Sequence, residues 1–471
     1  MLSTLGSDLR HWIGYVTVLG SAVGAWFLIR AQGNLLIAPT MTDAAVREAA
    51  HTEILAHVLF ALAVITFVAR ILGSLFRRLF GQPPVIGEIV AGLMLGPSLL
   101  GQLWPSAYHF LLPQESAPYL GILAKVGVVL FMFLVGLEFD PSLLAGNGHR
   151  SVSIALTSKA VPFVLGSLLA LGLYPVYSNS SVPFTVFSLF IGVSLSVTAF
   201  PVLARILSDR HAQRTSLGAT ALACAAIDDV GAWFMLALVI AIATAQVAGL
   251  VWTAFGLGAF LLVIAFVSRP FLRWLSAREE KNEGPMSIDT LAILTVLLLA
   301  AATTTEMLGL HALFGAFAVG VFVPHDSRLA IGLRDKLEDA VIVLFLPAFF
   351  AFTGMKTEIG LVASSADLPW LAGILAVAIV GKIGGTFTAA IANGYGWRAS
   401  TALGLLMNTR GLMELIVLNV GLEMGLLNST LFTMLVLMAL ITTFMTAPLL
   451  RLTLGKSGRW DLPGVAAPTA T

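Results

Sequence analysis

The chain has 471 residues, 58% of them hydrophobic and only 11% charged, with a net charge of +1 and a mean hydropathy of +0.94. Soluble domains carry about 25% charged residues, so the composition excludes an ordinary soluble enzyme and points to an all-α polytopic membrane protein. The near-neutral charge implies no nucleic-acid partner, and the single cysteine, Cys224, excludes an internal disulfide.

The first apolar stretch, residues 12–29, is read as an extra N-terminal helix, although the small residues Ser21-Ala22-Val23-Gly24-Ala25 also fit a cleaved signal peptide. A polar linker runs to Glu53. Apolar runs then recur near residues 54–75, 84–102, 119–142, 152–174, 183–207, 217–243, 249–275, 287–308, 310–324, 338–362, 369–393, 400–426 and 430–452. Most are long enough for a bilayer, which takes about 20 helical residues. The expectation is about 13 core spans plus the extra helix, followed from residue 453 by a short polar tail.

Basic residues alternate along this series. Arg77 and Arg78, Arg150, Arg210 and Arg214, Arg273 to Lys281, Arg328 to Lys336, Arg398, and Lys456 with Arg459 fall in every second loop. The loops at 103–118, 175–182, 244–248 and 427–429 hold no Lys or Arg. The positive-inside rule puts the basic loops and both termini in the cytoplasm. Arg30, Arg47 and Lys356 fall outside the pattern, at or near outer boundaries.

Two stretches resemble each other. Gly87-Glu88-Ile89-Val90-Ala91-Gly92 leads to Pro97, and Gly315-Ala316-Phe317-Ala318-Val319-Gly320 leads to Pro324. The following spans end at Gly136-Leu137-Glu138 and at Gly354-Met355-Lys356. The copies lie an odd number of spans apart, so their orientations are opposite, the mark of a secondary transporter with its site at the repeat interface. This predicts a first repeat over 54–243, a linker helix and cytoplasmic loop over 244–286, and a second repeat over 287–452. It also predicts two broken helices. Ser194-Leu195-Ser196-Val197-Thr198-Ala199-Phe200-Pro201 breaks at the proline, which lacks an N–H and disfavours helix at the preceding residue. Asn408-Thr409-Arg410-Gly411-Leu412-Met413-Glu414 interrupts an apolar run with polar residues and a glycine. Crossed at midplane, such breaks offer half-helix ends and free carbonyls to a cation.

Between these breaks lies Ala225-Ala226-Ile227-Asp228-Asp229-Val230-Gly231-Ala232-Trp233, two aspartates in mid-span. An intramembrane charge costs at least roughly 2.5–3.5 kcal/mol, so ionisable groups there are functional by default. Consecutive helical residues point about 100° apart, so the two carboxylates face different surroundings. Lys382, inside the run 376–386, needs a buried partner, and either aspartate can supply it. Arg410 and Glu414 stand one turn apart and either pair with each other or face the site. Lys159 is read as snorkelling to the surface, and Glu306 and His311 as solvated caps. Thr198, Ser196, Asn408 and Thr409 complete the candidate polar set. There is no H-E-x-x-H, C-x-x-C or phosphate-cradling loop, so no cofactor is expected. An intramembrane aspartyl protease needs two carboxylates sharing a proton, which neighbours on one helix do not provide. A cation channel is the remaining alternative, without a carbonyl-filter motif to support it.

The acidic stretch 225–233 resembles the motif of the monovalent cation:proton antiporters of the second family. Thr198-Ala199-Phe200-Pro201-Val202-Leu203-Ala204-Arg205-Ile206-Leu207 and His311-Ala312-Leu313-Phe314-Gly315-Ala316-Phe317 resemble further motifs of that family. Asn408-Thr409-Arg410-Gly411-Leu412-Met413-Glu414-Leu415-Ile416-Val417-Leu418-Asn419 is similar to the branch holding plant cation/H+ exchangers and a fungal Golgi K+/H+ exchanger. The resemblance spans about residues 54–452. It implies thirteen spans in two inverted six-helix repeats, with a core bundle moving against a dimer-forming panel in the membrane. It further implies that Asp229 binds the cation or proton, that Asp228 pairs with Lys382, and that Thr198 lines the cation site. The cargo would be Na+ or K+ against H+, in a bacterial inner membrane, with no enzymatic activity. Plant members usually carry Asn where Asp228 stands and have a long soluble tail. The paired aspartates are more like those of the electrogenic bacterial Na+/H+ exchangers.

Overall fold

The computed structural model describes residues 43–454 except 114, 139–147, 209, 211, 213–214, 245–246, 282–284, 309–310, 326 and 363. Side chains are further left aside at 43–53, 148–149, 208, 230, 244 and 247–254. The expected helix at 12–29 and the tail from 455 lie outside the described residues. The chain divides into residues 1–56, of which only the first turns of one helix are described, and residues 57–471, which hold everything below.

Among the described residues there is no strand. Among the described residues eleven helical segments are long and apolar enough to cross a membrane, and a bent pair makes a twelfth span. The first helix, α1 (Asp43–Phe80), already begins within the polar linker and ends on Arg77 and Arg78. Cations in a last turn oppose the helix dipole. Then follow α2 (Pro84–Leu95), α3 (Ala117–Glu138) and α4 (Gly148–Tyr177). A broken pair, α5 (Phe184–Ser196) and α6 (Phe200–Ser208), precedes the acidic helix α7 (Ser216–Thr244). Helix α8 (Val247–Val263) runs through a π-turn into α9 (Arg269–Glu280). Next come α10 (Ile288–Met307), the short α11 (Ala312–Phe322), and α12 (Arg328–Ala340), which continues through a π-turn into α13 (Leu346–Met355). The last elements are α14 (Leu368–Ala392), the broken pair α15 (Trp397–Met407) and α16 (Leu412–Glu423), and α17 (Ser429–Leu454).

The start of α12 differs from expectation, as does the start of α1. Arg328, Arg334 and Lys336 were expected in a loop but stand on α12, whose buried residues are Leu329, Ala330 and Leu333. An amphipathic helix reads as a polar loop when only charge is scanned, yet its period-3.6 apolar stripe holds it against the bundle.

Glycines set the close packing. Gly92 of α2 lies against the Phe350 carbonyl of α13, and Gly354 meets the Gly92 backbone in return. Gly136 of α3 lies against the Phe317 carbonyl of α11, and Gly320 meets the Phe133 carbonyl and the Gly136 backbone. Any Cβ at these positions would collide with backbone, and small residues are what let membrane helices approach without a hydrophobic driving force. The two look-alike stretches therefore exchange partners: the leading glycine of each packs on the trailing glycine of the other. Gly87 and Gly315 likewise take equivalent places, against the α1 backbone at Leu72–Gly73 and the α10 backbone at Ala301.

The broken spans are the buried centre. Within 184–207 the most apolar window is 83% buried, against 22% for the span at 255–280. The α8–α9 span turns Leu262, Phe266, Val267 and Trp274 outward, a surface suited to lipid or to another protein.

Candidate ion-binding site

Both predicted breaks occur. Helix α5 stops at Ser196, and Val197 is extended with φ −65° and ψ 140°. Pro201 then falls in the first turn of α6, where a missing N–H costs nothing. The other break covers residues 408–411, and α15 and α16 are bent by 44° across it. The two links hold each other. The Ala199 N–H donates to the Thr409 carbonyl at 2.9 Å, and Thr198 Oγ1 donates to the Met407 carbonyl at 2.8 Å.

A broken helix leaves carbonyls at its C-terminal end without intrahelical partners. Here they are not free for a cation, as the sequence reading expected. Arg410 donates to the Ser194 carbonyl at 2.8 Å and to the Leu195 carbonyl, and Lys382 donates to the Ser196 carbonyl. Positive side chains match the negative end of the α5 dipole, so they displace the role assigned to these carbonyls. Arg410 also pairs with Glu414 at 2.9 Å, and both are fully buried. Its backbone exchanges hydrogen bonds with Thr443 of α17, each at 2.8 Å.

The acidic helix meets this crossing. Asp228 is fully buried and Asp229 is 3% exposed. Asp228 Oδ2 accepts a hydrogen bond from Lys382 at 2.7 Å. Asp228 Oδ1 lies 3.0 Å from Lys159. That contact is an ion pair without hydrogen-bond geometry, and the Lys159 ammonium donates instead to the Asp228 backbone carbonyl. Lys159 is therefore no snorkelling residue. Its partner comes from tertiary packing: Gly381 and Gly385 of α14 let that helix settle on Pro162 and Val161 of α4. The settling brings Lys159 and Lys382 to opposite oxygens of one carboxylate.

Asp229 is different. Neither of its oxygens has a hydrogen-bond partner in the protein. The Phe200 backbone N–H, at the start of α6, is oriented toward it, as helix N-termini are toward anions. Fully buried Asn408 has both amide atoms unpartnered, while Thr409 Oγ1 is committed to the Leu406 carbonyl and Ser196 Oγ to the Val193 carbonyl. Buried polar groups are normally satisfied, so the unpartnered ones at Asp229 and Asn408 mark where a small ligand can be held. Among the described residues no cluster of His, Cys, Asp and Glu has the spacing of a resident metal centre.

A separate cleft of about 380 Å³ is lined by Lys125, Glu306, His311, Asn419 and Glu423 with apolar neighbours, but by neither aspartate. Glu423 pairs there with Lys125 at 2.9 Å and Lys356 at 3.2 Å. Glu306 is a cap, accepting the Ala312 N–H at 2.6 Å.

Comparison with known proteins agrees with this architecture. The transmembrane sodium/hydrogen exchanger family profile matches residues 63–452. The chain is 40% identical over 400 residues to the Na(+)/H(+) antiporter NhaS4 of Synechocystis, covering 84% of this chain and 97% of that protein. It is 39% identical to Cation/H(+) antiporter 18 of Arabidopsis thaliana, over 82% of this chain and 48% of that one. It is 36% identical to K(+)/H(+) antiporter 1 of Saccharomyces cerevisiae, over 85% and 47%. The chain thus spans about half the length of these plant and yeast relatives. Its fold is similar to that of the sodium proton antiporter MjNhaP1 from Methanocaldococcus jannaschii, with a TM-score of 0.64 at 14% identity over 88% of this chain and 100% of that one. A carboxylate without a protein partner, set between two crossed broken helices in a chain matched over nearly its whole apolar length, completes the assignment: this chain belongs to the sodium/hydrogen exchanger family.

Proposed function

We propose that the protein exchanges Na+ or K+ for protons at Asp229 by alternating access, as a homodimer in a bacterial inner membrane. The observation that carries this reading is the Asp229 carboxylate, buried and without a protein partner. A bare buried carboxylate is costly. A proton relieves that cost, and so does a partly dehydrated monovalent cation, so the two compete for one site. If only loaded states cross, competition becomes exchange. Thr198, whose hydroxyl is held at the crossing, lines the cation site, and Asn408 supplies an amide oxygen toward it. Asp228 is the charge partner of Lys382. The protease alternative loses its footing, since both acids stand on α7 and Asp228 is occupied by two lysines.

The test is proton flux in proteoliposomes against a panel of Li+, Na+, K+ and Rb+. Saturable proton countermovement with at least one cation is expected. Current without proton countermovement would make the protein a channel instead.

The glycine exchange supports an inverted pair of repeats over 54–243 and 287–452, joined by a linker at 244–286. On the positive-inside rule, we propose that Lys281 and the C-terminus are cytoplasmic and that the loop 103–118, which carries Gln114 and Glu115, is outside. Single cysteines at 281 and 115 in a Cys224→Ser background test it. An impermeant maleimide should label 115 only, and labelling of 281 from outside would reverse the topology. The outward apolar surface of α8–α9 is the candidate dimer panel.

A further inference from the structure

Two lysines hold Asp228, and they differ in what else they hold. Lys382 bonds the carboxylate and also the Ser196 carbonyl, at the end of broken helix α5. Lys159 bonds the Asp228 backbone carbonyl and faces Oδ1, so both of its contacts are on α7 itself. Gly231, one turn along α7, leaves the channel in which the Lys159 chain lies, since a Cβ there would sit 2.9 Å from Nζ. Any rearrangement of the α5–α6 link carries the Ser196 carbonyl with it and pulls on Lys382. Lys159 has no anchor on that link among these bonds.

We infer that Lys159 is a positioning residue of the exchange cycle: it keeps Asp228 paired, and α7 fixed, while Lys382 lets go. With Lys382 alone, opening the pair would strand a fully buried carboxylate one residue from Asp229, and stranding a buried charge is strongly unfavourable. With Lys159 in place the carboxylate keeps one counter-charge in both arrangements, and the barrier to opening falls. Lys159 touches neither the cation site nor the proton in this scheme, and it acts through Asp228. The inference rests on the proposed exchange at Asp229.

Lys159→Met tests it, because the resting pair with Lys382 survives the substitution. The variant should fold, with its cation KM within twofold of wild type, while kcat falls about tenfold, the factor corresponding to 1.36 kcal/mol of barrier. Lys159→Arg keeps the charge and should hold kcat within about threefold. In thermal unfolding, Lys159→Met and Lys382→Met should each cost less than half of what the double variant costs, since either lysine alone still pairs Asp228. Failure of Lys159→Met to fold, a wild-type kcat, a raised KM with unchanged kcat, or additive stability losses would each overturn the inference. Asp229→Asn run alongside separates the two readings, because exchange persisting there refutes the Asp229 site whatever Lys159 does.

Discussion

Asp229→Asn is expected to abolish cation-driven proton flux while leaving the protein as stable as wild type, or more so. Both halves follow from one fact, that neither carboxylate oxygen has a protein partner. Function suffers because the amide carries no charge for a cation and takes up no proton. Losing one partner of a buried charge pair costs about 2–5 kcal/mol, and 1.4 kcal/mol is tenfold, so cation affinity alone should fall by at least roughly 30-fold. With the exchangeable proton also gone, coupled flux should be undetectable. Stability does not suffer, because an expensive buried acid is replaced by a neutral group whose amide oxygen can still face the Phe200 N–H. Sites kept for function commonly carry such a cost. The measurements are proteoliposome flux across the cation panel and a melting curve in detergent. Substantial cation-dependent flux in the variant would refute the role of Asp229. A marked drop in melting temperature would show that the carboxylate is structural after all.

The second large effect is expected at Asp228. Asp228→Asn strands two buried ammonium groups, Lys159 and Lys382, so it should cost about 3–5 kcal/mol, as breaking a buried pair does. Lys382→Gln should cost less, because Lys159 still pairs the carboxylate. The double variant Asp228→Asn with Lys382→Gln should recover part of the loss but not all of it, since Lys159 then lacks its anion. Additive losses in this cycle would mean that Asp228 and Lys382 do not interact energetically. The same variants report on stoichiometry. If the pair opens when a cation binds, two charges are handled per cycle and wild type generates a membrane potential. The double variant should still exchange, but a voltage-sensitive dye should show no response. A wild-type voltage response in the double variant would remove the pair from the stoichiometry.

Much of this arrangement was legible in the sequence, for local reasons. Pro201 announces the first break because a proline lacks an N–H and disfavours helix just before it, and α5 indeed stops at Ser196, with α6 restarting at Phe200. The polar run 408–411 announces the second because uncompensated polarity is rare in a span. Asp228 and Asp229 stand out on cost alone. Lys159 could not be ranked the same way. A lysine towards the end of a span is equally consistent with snorkelling, and only the fit of Gly381 on Pro162 turns it inward. Arg410 offered a local partner at Glu414, but its hold on the Ser194 and Leu195 carbonyls joins elements more than 200 residues apart. Chemistry with a sequence-local cause was readable, and chemistry made by two helices meeting was not. The unpartnered atoms of Asn408 belong to the second kind.

The glycine exchange also bears on how the chain is made. Gly92 closes on Gly354, and Gly136 on Gly320. At about 5–20 residues per second, a ribosome needs on the order of 10–50 s to move from the first of these glycines to its mate. Throughout that interval α2 and α3 are already in the bilayer with the faces meant for α13 and α11 turned to lipid. Helix insertion and helix association are therefore separated in time, and the early half must wait unassembled. A nascent chain released before α13 emerges has no route to the finished packing, so quality control in the membrane has a broad window in which to act on it.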